Sequence, residues 1–217
     1  MDMEFIASTS LFNGIRRSDL EKMFSCLCIQ EKKYKKEEII YHQGSIIKDI
    51  GLILSGRVQS VNVDIMGNNN ILLLMHPGEI FSLAYATLRN KPMMVDIIAI
   101  EDCCILHLDM EKIFRICELP CQCHIQIMKN LLEISAKKNI GLSQKITETS
   151  AKTIRGRILT YFTREISEQG THELIIPLNR QQMADYLNVE RSALSKELGR
   201  MKKEGMIDYH RNIFRIK

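Results

Sequence analysis

The chain has 217 residues, of which 45% are hydrophobic and 26% charged, and its formal net charge is +4. It contains no run of about 18 uncharged apolar residues, and its first residues, MDMEFIAST, lack the basic and apolar regions of a signal peptide. These features argue against a membrane or secreted protein, and seven irregularly spaced cysteines are typical of reduced thiols, so we expect a cytoplasmic protein without a membrane partner.

The net positive charge comes from the last third of the chain. Residues 1–146 contain 17 Lys and Arg and 17 Asp and Glu, whereas residues 147–217 contain 13 and 9. A neutral N-terminal part and a basic C-terminal part indicate two tasks, and the basic part is expected to face a polyanion.

Residues 37–108 have the pattern of an antiparallel β structure. Short apolar runs alternate with turn signals, as in a sandwich or a barrel-like roll, and a helix near residues 18–27 is predicted to cap it. The predicted strands are Ile50–Leu54, Ile71–Met75, Val95–Ile100 and Cys104–Leu108, together with the alternating residues Val61, Val63 and Ile65.

A glycine-led turn, Pro77-Gly78-Glu79, opens the segment GEIFSLAYATLRNKPMMVD at residues 78–96. Such a turn leading into a short helix is a natural place for an anion. The second half of the segment, however, contains Pro92-Met93-Met94 where a binding cation would be expected.

Residues 109–146 are predicted to form a long helix. Its apolar stripe is Ile127, Leu131, Ile134, Leu142 and Ile146, and Gly141 weakens the helix locally. Such a stripe favours a self-complementary dimer seam; the alternative is a helix packed within its own chain.

The segment LNRQQMADYLNVERSALSKELGRMKKEGMI, residues 178–207, contains two helices and a turn. Asn179 and Gln182 form a capping box, Asn188 occupies a turn position that tolerates positive φ, and Gly205 ends the second helix. The following tail, IDYHRNIFRIK, predicts a β-wing with Arg211 at its tip.

The second helix has two different faces. Leu194, Leu198 and Met201 form the core face; the opposite face contains Arg191, Ser192, Ser195, Lys196 and Gly199. Cations and hydroxyls beside small residues suit a reader of the DNA major groove. An ordinary solvated helix is the alternative, but the order of helix, turn, helix and wing on the basic third favours DNA binding.

At these residues the chain resembles the CRP/FNR transcription regulators. The stretches that carry the resemblance are GLILSG at 51–56, the Pro77-Gly78-Glu79 turn, IRGRIL at 154–159 and VERSALSKELGRMKKEGMI at 189–207. The resemblance implies an α+β fold with a jelly-roll-like antiparallel β-roll as a cyclic-nucleotide-binding-like sensor (1–110), a long dimerisation helix (111–147) and a C-terminal winged helix-turn-helix (148–217).

The resemblance also implies a homodimer on a palindromic double-stranded DNA operator, with RNA polymerase as a partner if the protein is an activator. Arg191, Ser192 and Lys196 match the main base- and phosphate-contacting positions, and Arg180 and Gln181 match phosphate contacts. Well-studied members commonly have Glu at the position of Ser192, and that carboxylate accepts a hydrogen bond from a cytosine amine. Serine cannot do the same, so we do not expect this chain to bind the half-site sequences of those members.

The segment 78–96, called here the sensor turn, and the long helix differ from the cyclic-nucleotide-binding members of the family. Ser82 and Leu83 stand where those members have Gly-Glu, Met93 and Met94 where they have Arg-Ser, and Leu142 where a polar residue touches the base. A buried phosphate without its arginine would be an uncompensated charge, so we expect that cAMP is not the effector.

Three interpretations of the sensor stay open. They are a small apolar or aromatic effector of unknown identity, a self-packed pocket, and a redox, metal, Fe-S or haem sensor. Cys117 and Cys121, one helical turn apart, are weak metal candidates, but packing is the usual role of such cysteines and no cofactor is predicted.

Two other classes of protein compete with a regulator. No metalloprotease, nucleophile-elbow, Walker or dinucleotide motif is present, so an enzyme is not expected. A ligand-binding module without regulatory DNA binding would require that Arg191 and Lys196 do not face DNA.

Overall fold

The computed structural model describes residues 2–27, 29–63, 69–88, 90–114 and 122–217. These residues form two compact units, one ending at Ala136 and the other beginning at Lys137. The predicted α+β class is confirmed, because antiparallel sheets and helices are present in both units. None of the helices among the described residues is long and apolar enough to cross a membrane.

The first unit contains two four-stranded sheets and several helices. Its helices are α1 (Met3–Ser8), α2 (Arg17–Leu27), α3 (Leu83–Thr87), α4 (Met110–Phe114) and the first half of α5 (Gln122–Ser150). Its strands are β1 (Gln30–Tyr34), β2 (Ile39–Tyr41), β3 (Asp49–Ser55), β4 (Val58–Val63), β5 (Asn69–Met75), β6 (Ile80–Phe81), β7 (Asp96–Ala99) and β8 (Cys103–Asp109). The predicted helix near residues 18–27 and the four predicted apolar strands are thereby confirmed.

The two sheets have the orders β1-β8-β3-β6 and β2-β7-β4-β5, and all their pairs are antiparallel. Gly51 in β3 lies opposite His107 on one side and Phe81 on the other. A Cβ at Gly51 would lie 2.0 Å from the Phe81 ring, so only glycine permits this close approach. The first glycine of the GLILSG stretch is therefore required by packing.

A buried polar cluster lies within this unit. His107 is 6% exposed, and its Nδ1 donates to Oδ2 of Asp49 at 2.5 Å, while the Tyr41 hydroxyl donates to the same oxygen at 2.5 Å. The Tyr34 hydroxyl lies 2.9 Å from the other ring nitrogen of His107. Burial alone would raise the pKa of Asp49, but the hydrogen bonds from His107 and Tyr41 outweigh it and lower the pKa. The histidine thus has a structural partner.

The apolar stripe of α5 divides into two parts. Ile127 and Leu131 are buried in the core of the first unit, and Ile134 packs against it. For these three residues the alternative prediction, a helix packed within its own chain, is correct. Leu142 and Ile146 are instead 59% and 66% exposed. Leu142 is only about 20° of helical rotation from Leu131, so the two share a face of the helix. Leu142 and Ile146 are exposed because they lie beyond Ala136, where the first unit ends. For these two residues the dimer seam stays a prediction.

The long helix also differs in its bounds from the predicted segment. It begins at Gln122 and continues through Gly141 to Ser150, and residues 111–114 belong to the short helix α4. Gly141, which is predicted to weaken the helix locally, therefore lies within a continuous helix.

The second unit is built on the end of α5 and a three-stranded sheet of order β10-β11-β9. Its other elements are α6 (Ile154–Gln169), β9 (Glu173–Ile175), α7 (Arg180–Tyr186), α8 (Arg191–Lys203), β10 (Ile207–His210) and β11 (Ile213–Ile216). Its core joins Ile158 and Phe162 of α6 to Leu198 of α8 and Phe214 of β11. The predicted wing is confirmed as the β10–β11 hairpin.

Candidate functional site

Helices α7 and α8 and the turn between them have the geometry that the sequence predicts. The Asn179 side chain accepts from the backbone N–H of Gln182 at 2.9 Å, and the Gln182 side chain accepts from the N–H of Asn179 at 2.9 Å. Asn188 has a φ of 54° in the turn, and Gly205 has a φ of 76° after α8. The capping box, the left-handed turn residue and the terminal glycine are confirmed.

The two faces of α8 differ as predicted. Leu194, Leu198 and Met201 are fully buried in the core of the second unit. The side chains predicted to read DNA are exposed on the same helix; they are Arg191, Ser192, Ser195 and Lys196. The structure therefore presents a polar surface with two cations near the beginning of α8.

The first turn of α8 also contains a carboxylate that the sequence interpretation left out. Glu190 is the N-cap, and its side chain accepts from the backbone N–H of Ala193 at 2.9 Å and from the Ser192 hydroxyl. These hydrogen bonds, that from Ser192 first, lower the pKa of Glu190. The Ser195 hydroxyl donates to the carbonyl of Arg191 at 2.9 Å. Both hydroxyls are thus engaged within the helix.

Two arginines of α6 hold the helix-turn-helix in place. Arg155 donates to Glu197 at 2.6 Å and to both oxygens of Glu204 at 2.7 and 2.9 Å. Arg157 donates to the carbonyl oxygens of Leu187 and Asn188 at 3.0 and 2.7 Å. Since Arg155 pairs with Glu197 and Glu204, these two carboxylates do not offset the charge of Arg191 and Lys196.

The sequence interpretation missed the roles of Arg155 and Arg157. It placed both merely off the apolar face of α6, because their partners lie 30 to 49 residues away. The only signal was the stretch IRGRIL, which contains both arginines.

The wing presents Arg211 and Asn212 at the turn between β10 and β11, and both are exposed. Arg211 has a φ of 53°. Arg180, predicted to contact a phosphate, donates instead to the carbonyl of Arg211 at 3.1 Å and is partly buried. Gln181 is exposed and donates to Asp185 at 2.8 Å.

The sensor turn keeps a backbone that favours glycine. Ser82, at the start of α3, has a φ of 63°, and its hydroxyl oxygen is buried without a hydrogen bond among the described residues. Leu83 is partly buried and packs against the core. The positive φ explains why the resembling members use glycine at this position.

The other predicted pocket residues do not share one environment. Met93 is 2% exposed and belongs to the core, whereas Met94 is 61% exposed. The backbone of Met93 is fixed by hydrogen bonds to Gly44 and Ser45 at 2.8 and 2.9 Å. Leu142 is exposed on α5. An effector pocket formed by all five residues stays a prediction, and the Met93 side chain fills core volume.

The cysteines in the described part of the chain do not form a metal centre. No group of three or more His, Cys, Asp and Glu able to hold a metal occurs there, and Cys117 and Cys121 lie outside the described residues. Burial, followed by nearby acidic groups, raises the pKa of the Cys103 and Cys104 thiols to about 11. These two thiols are protonated at neutral pH.

Two family models match separate parts of the chain. Residues 31–119 match the cyclic nucleotide-binding domain, and residues 156–217 match the Crp-like helix-turn-helix domain. Each match covers a region in which the structure has the corresponding elements, the β-roll and the helix-turn-helix with its wing.

Similar proteins align with most of the chain. The Cyclic AMP receptor protein of Thermus thermophilus is 23% identical over 198 residues, which are 91% of this chain and 87% of that protein. The solved Catabolite Activator Protein of Thermus thermophilus has a TM-score of 0.50 at 19% identity and covers 96% of this chain and 94% of its own. The c-di-GMP responsive regulator CLP of Xanthomonas campestris has a TM-score of 0.57 at 12% identity and covers 93% and 99%. At these identities the solved structures establish the fold.

Proposed function

The chain belongs to the CRP/FNR family of DNA-binding transcription regulators, and we propose that it binds a two-fold symmetric operator as a homodimer. The observation that carries this proposal is the exposed face of α8, which presents Arg191 and Lys196 in a helix-turn-helix whose two helices have side-chain N-caps. The family consists of regulators and not of enzymes.

Each half-site is read by the first two turns of α8. Arg191 and Lys196 supply the donors that suit guanine edges and phosphates. Ser192 and Ser195 are short enough to allow close approach, and the Ser192 hydroxyl acts together with the Glu190 carboxylate. This pair places an acceptor beside the helix end, where a cytosine or adenine amine can donate to it.

Phosphate contacts flank the reading helix. Gln181 at the beginning of α7 and Arg211 at the wing tip are exposed, and both can reach the DNA backbone on either side of the groove. Because such contacts release counterions, we expect affinity to fall steeply with salt.

A heptad pattern on α5 supports the homodimer. Ile125, Met128, Leu132, Ser135, Asn139, Leu142 and Ile146 follow one another at alternating spacings of three and four residues. Three of them, Leu132, Leu142 and Ile146, are 72%, 59% and 66% exposed. An apolar seam at this spacing is the pattern of a two-stranded coiled coil, so a second copy of the helix is the natural cover.

Asn139 gives the seam its register. It is the amide side chain of the heptad, and an amide in an apolar seam pairs best with its own copy across a two-fold axis. This favours a parallel dimer over slipped or larger assemblies. Two copies of α8 would then face half-sites about one helical turn apart.

The roll is proposed not to bind a cyclic nucleotide. Met93 stands where the resembling members place an arginine, and its buried side chain offers no charge for a phosphate. Leu83 likewise stands where they have the glutamate of the ribose site.

Recovery of operator DNA tests the proposed function. Full-length protein is incubated with sheared DNA of its source genome at fixed salt, and bound fragments are sequenced. We expect enrichment of fragments with a shared two-fold symmetric sequence. Equal recovery of all fragments would support a ligand-binding module without regulatory DNA binding.

A further inference from the structure

Arg180 is engaged with the wing from three directions. Its guanidinium lies 5.0 Å from the centre of the Tyr209 ring and 4.8 Å from that of Phe214, and its Nη2 donates to the carbonyl of Arg211 at 3.1 Å. Tyr209 and Phe214 are paired across the two strands of the hairpin. One side chain of α7 therefore holds both strands and the turn of the wing.

The turn that Arg180 holds is strained. Arg211 is the first of two residues connecting β10 and β11, and its φ of 53° is a conformation that two-residue hairpins normally assign to glycine at this place. A bulky residue keeps such a conformation only when its surroundings fix it. The hydrogen bond from Arg180 to the carbonyl of Arg211 is one such fixation.

We propose that Arg180 is a positioning residue, which contributes to DNA binding by holding the wing tip so that Arg211 meets a phosphate, and which does not contact a phosphate itself. The inference rests on the proposed DNA-binding function. It changes the role that the family resemblance assigns to this position.

The chemistry of the guanidinium suits this role. It is planar and weakly hydrated, so it can stack on aromatic rings while its N–H groups point along its edge to a carbonyl. Burial lowers the pKa of Arg180, as expected for a cation turned towards protein and away from solvent. A lysine would keep the charge but could not stack and donate in the same manner.

A double-mutant cycle tests the proposal. The variants Arg180→Ala, Arg211→Ala and the double variant are titrated against a duplex that the wild-type protein retains, at several salt concentrations. We expect each single variant to bind roughly tenfold more weakly and to lower the salt slope by about one. The double variant should then bind like Arg211→Ala, within about twofold.

The opposite result has a distinct form. If Arg180 contacts a phosphate independently, the two losses multiply and the salt slope of the double variant falls by about two. Arg180→Lys separates the same alternatives: a positioning role predicts that lysine fails to restore binding, and a charge contact predicts rescue. Multiplied losses in the double variant, or rescue of binding by Arg180→Lys, would overturn the proposal.

Hydrogen exchange tests, in the absence of DNA, whether Arg180 holds the wing. Hydrogen exchange of the wing amides, residues 210–213, should become faster in Arg180→Ala while the amides of α8 keep their protection. Unchanged exchange at the wing, or loss of protection throughout the unit, would contradict the proposal. Failure of the proposed function itself would be seen differently, as a wild-type protein that retains no duplex.

Discussion

The Nε of Arg164 in α6 lies 2.5 Å from Oε1 of Glu148 near the end of α5, and the Glu148 side chain is only 2% exposed. The same guanidinium contacts Glu165 and Glu168 at 2.9 and 2.7 Å. This cluster joins the last turns of α5 to the first helix of the DNA-binding region, within the second unit.

Arg164→Ala is expected to destabilise the second unit by about 3 kcal/mol, because it leaves the buried Glu148 carboxylate without its cation. Replacing both partners, as in Glu148→Leu with Arg164→Met, should recover most of that loss. Urea denaturation followed by circular dichroism measures both. A single variant within about 0.5 kcal/mol of the wild type would show that the pair does not stabilise the fold.

The dimer seam is tested at its most exposed leucine. Leu132→Asp should convert the protein to a monomer without unfolding it, because Leu132 is 72% exposed and α5 packs on its own unit through Ile127. Gln144→Asp, at an exposed position of α5 outside the heptad, is the matched control and should remain a dimer. Sedimentation equilibrium and circular dichroism decide; a wild-type monomer, or equal effects of both variants, would contradict the seam.

Cyclic nucleotides are expected to leave the protein unchanged. A ligand present at 100 times its Kd would stabilise the folded state by about 2.7 kcal/mol, so binding would raise Tm measurably. We predict no shift of Tm with cAMP or cGMP in differential scanning calorimetry, and a dose-dependent shift would contradict the prediction.

Substitution at the sensor turn gives a matched pair. Met93→Arg buries a charge without a partner and should cost about 3 kcal/mol or more, whereas Met94→Arg should be nearly neutral because Met94 is 61% exposed. A stable Met93→Arg protein that gains cAMP binding would show that the pocket is retained and lacks only its cation.

The cysteine pKa values predict a pH dependence. Because burial raises the pKa of the Cys103 and Cys104 thiols from 9.0 to about 11, their thiolate fraction at pH 8 is about a hundredfold smaller than that of an unperturbed cysteine. Alkylation by iodoacetamide, followed by peptide mass spectrometry, should be slow at pH 8 and accelerate towards pH 11. Fast alkylation of either thiol at neutral pH would favour a redox-sensing role.

Features set by neighbouring residues could be predicted from the sequence. The capping box of Asn179 and Gln182, the left-handed Asn188 and the terminal Gly205 depend on backbone chemistry within a few residues. The core face of α8 follows from helical periodicity in the same way. These local features were sufficient to locate the helix-turn-helix.

Features set by distant partners could not be predicted. Strand β1 reads QEKKY and has no apolar alternation, yet it pairs with β8 along its whole length. The division of α5 into buried Ile127 and exposed Leu132 depends on where the first unit packs. Arg180 was matched to a phosphate contact because its aromatic partners, Tyr209 and Phe214, lie about 30 residues further along the chain.

Operator recognition is expected to depend on the exposed cations of α8. Arg191→Ala and Lys196→Ala should each abolish specific binding without unfolding the protein, because both side chains are exposed. Lys22→Ala, an exposed cation of α2 in the other unit, is the matched control and should bind like the wild type. Circular dichroism and Tm confirm that all three variants are folded.

Selection from a random duplex pool, performed at fixed salt with the wild type and these three variants, measures operator recognition by α8. We expect the wild type and Lys22→Ala to enrich one palindrome with half-site centres about 10 to 11 base pairs apart, and Arg191→Ala and Lys196→Ala to enrich none. Enrichment of the same palindrome by the α8 variants, or no enrichment by the wild type, would contradict this expectation.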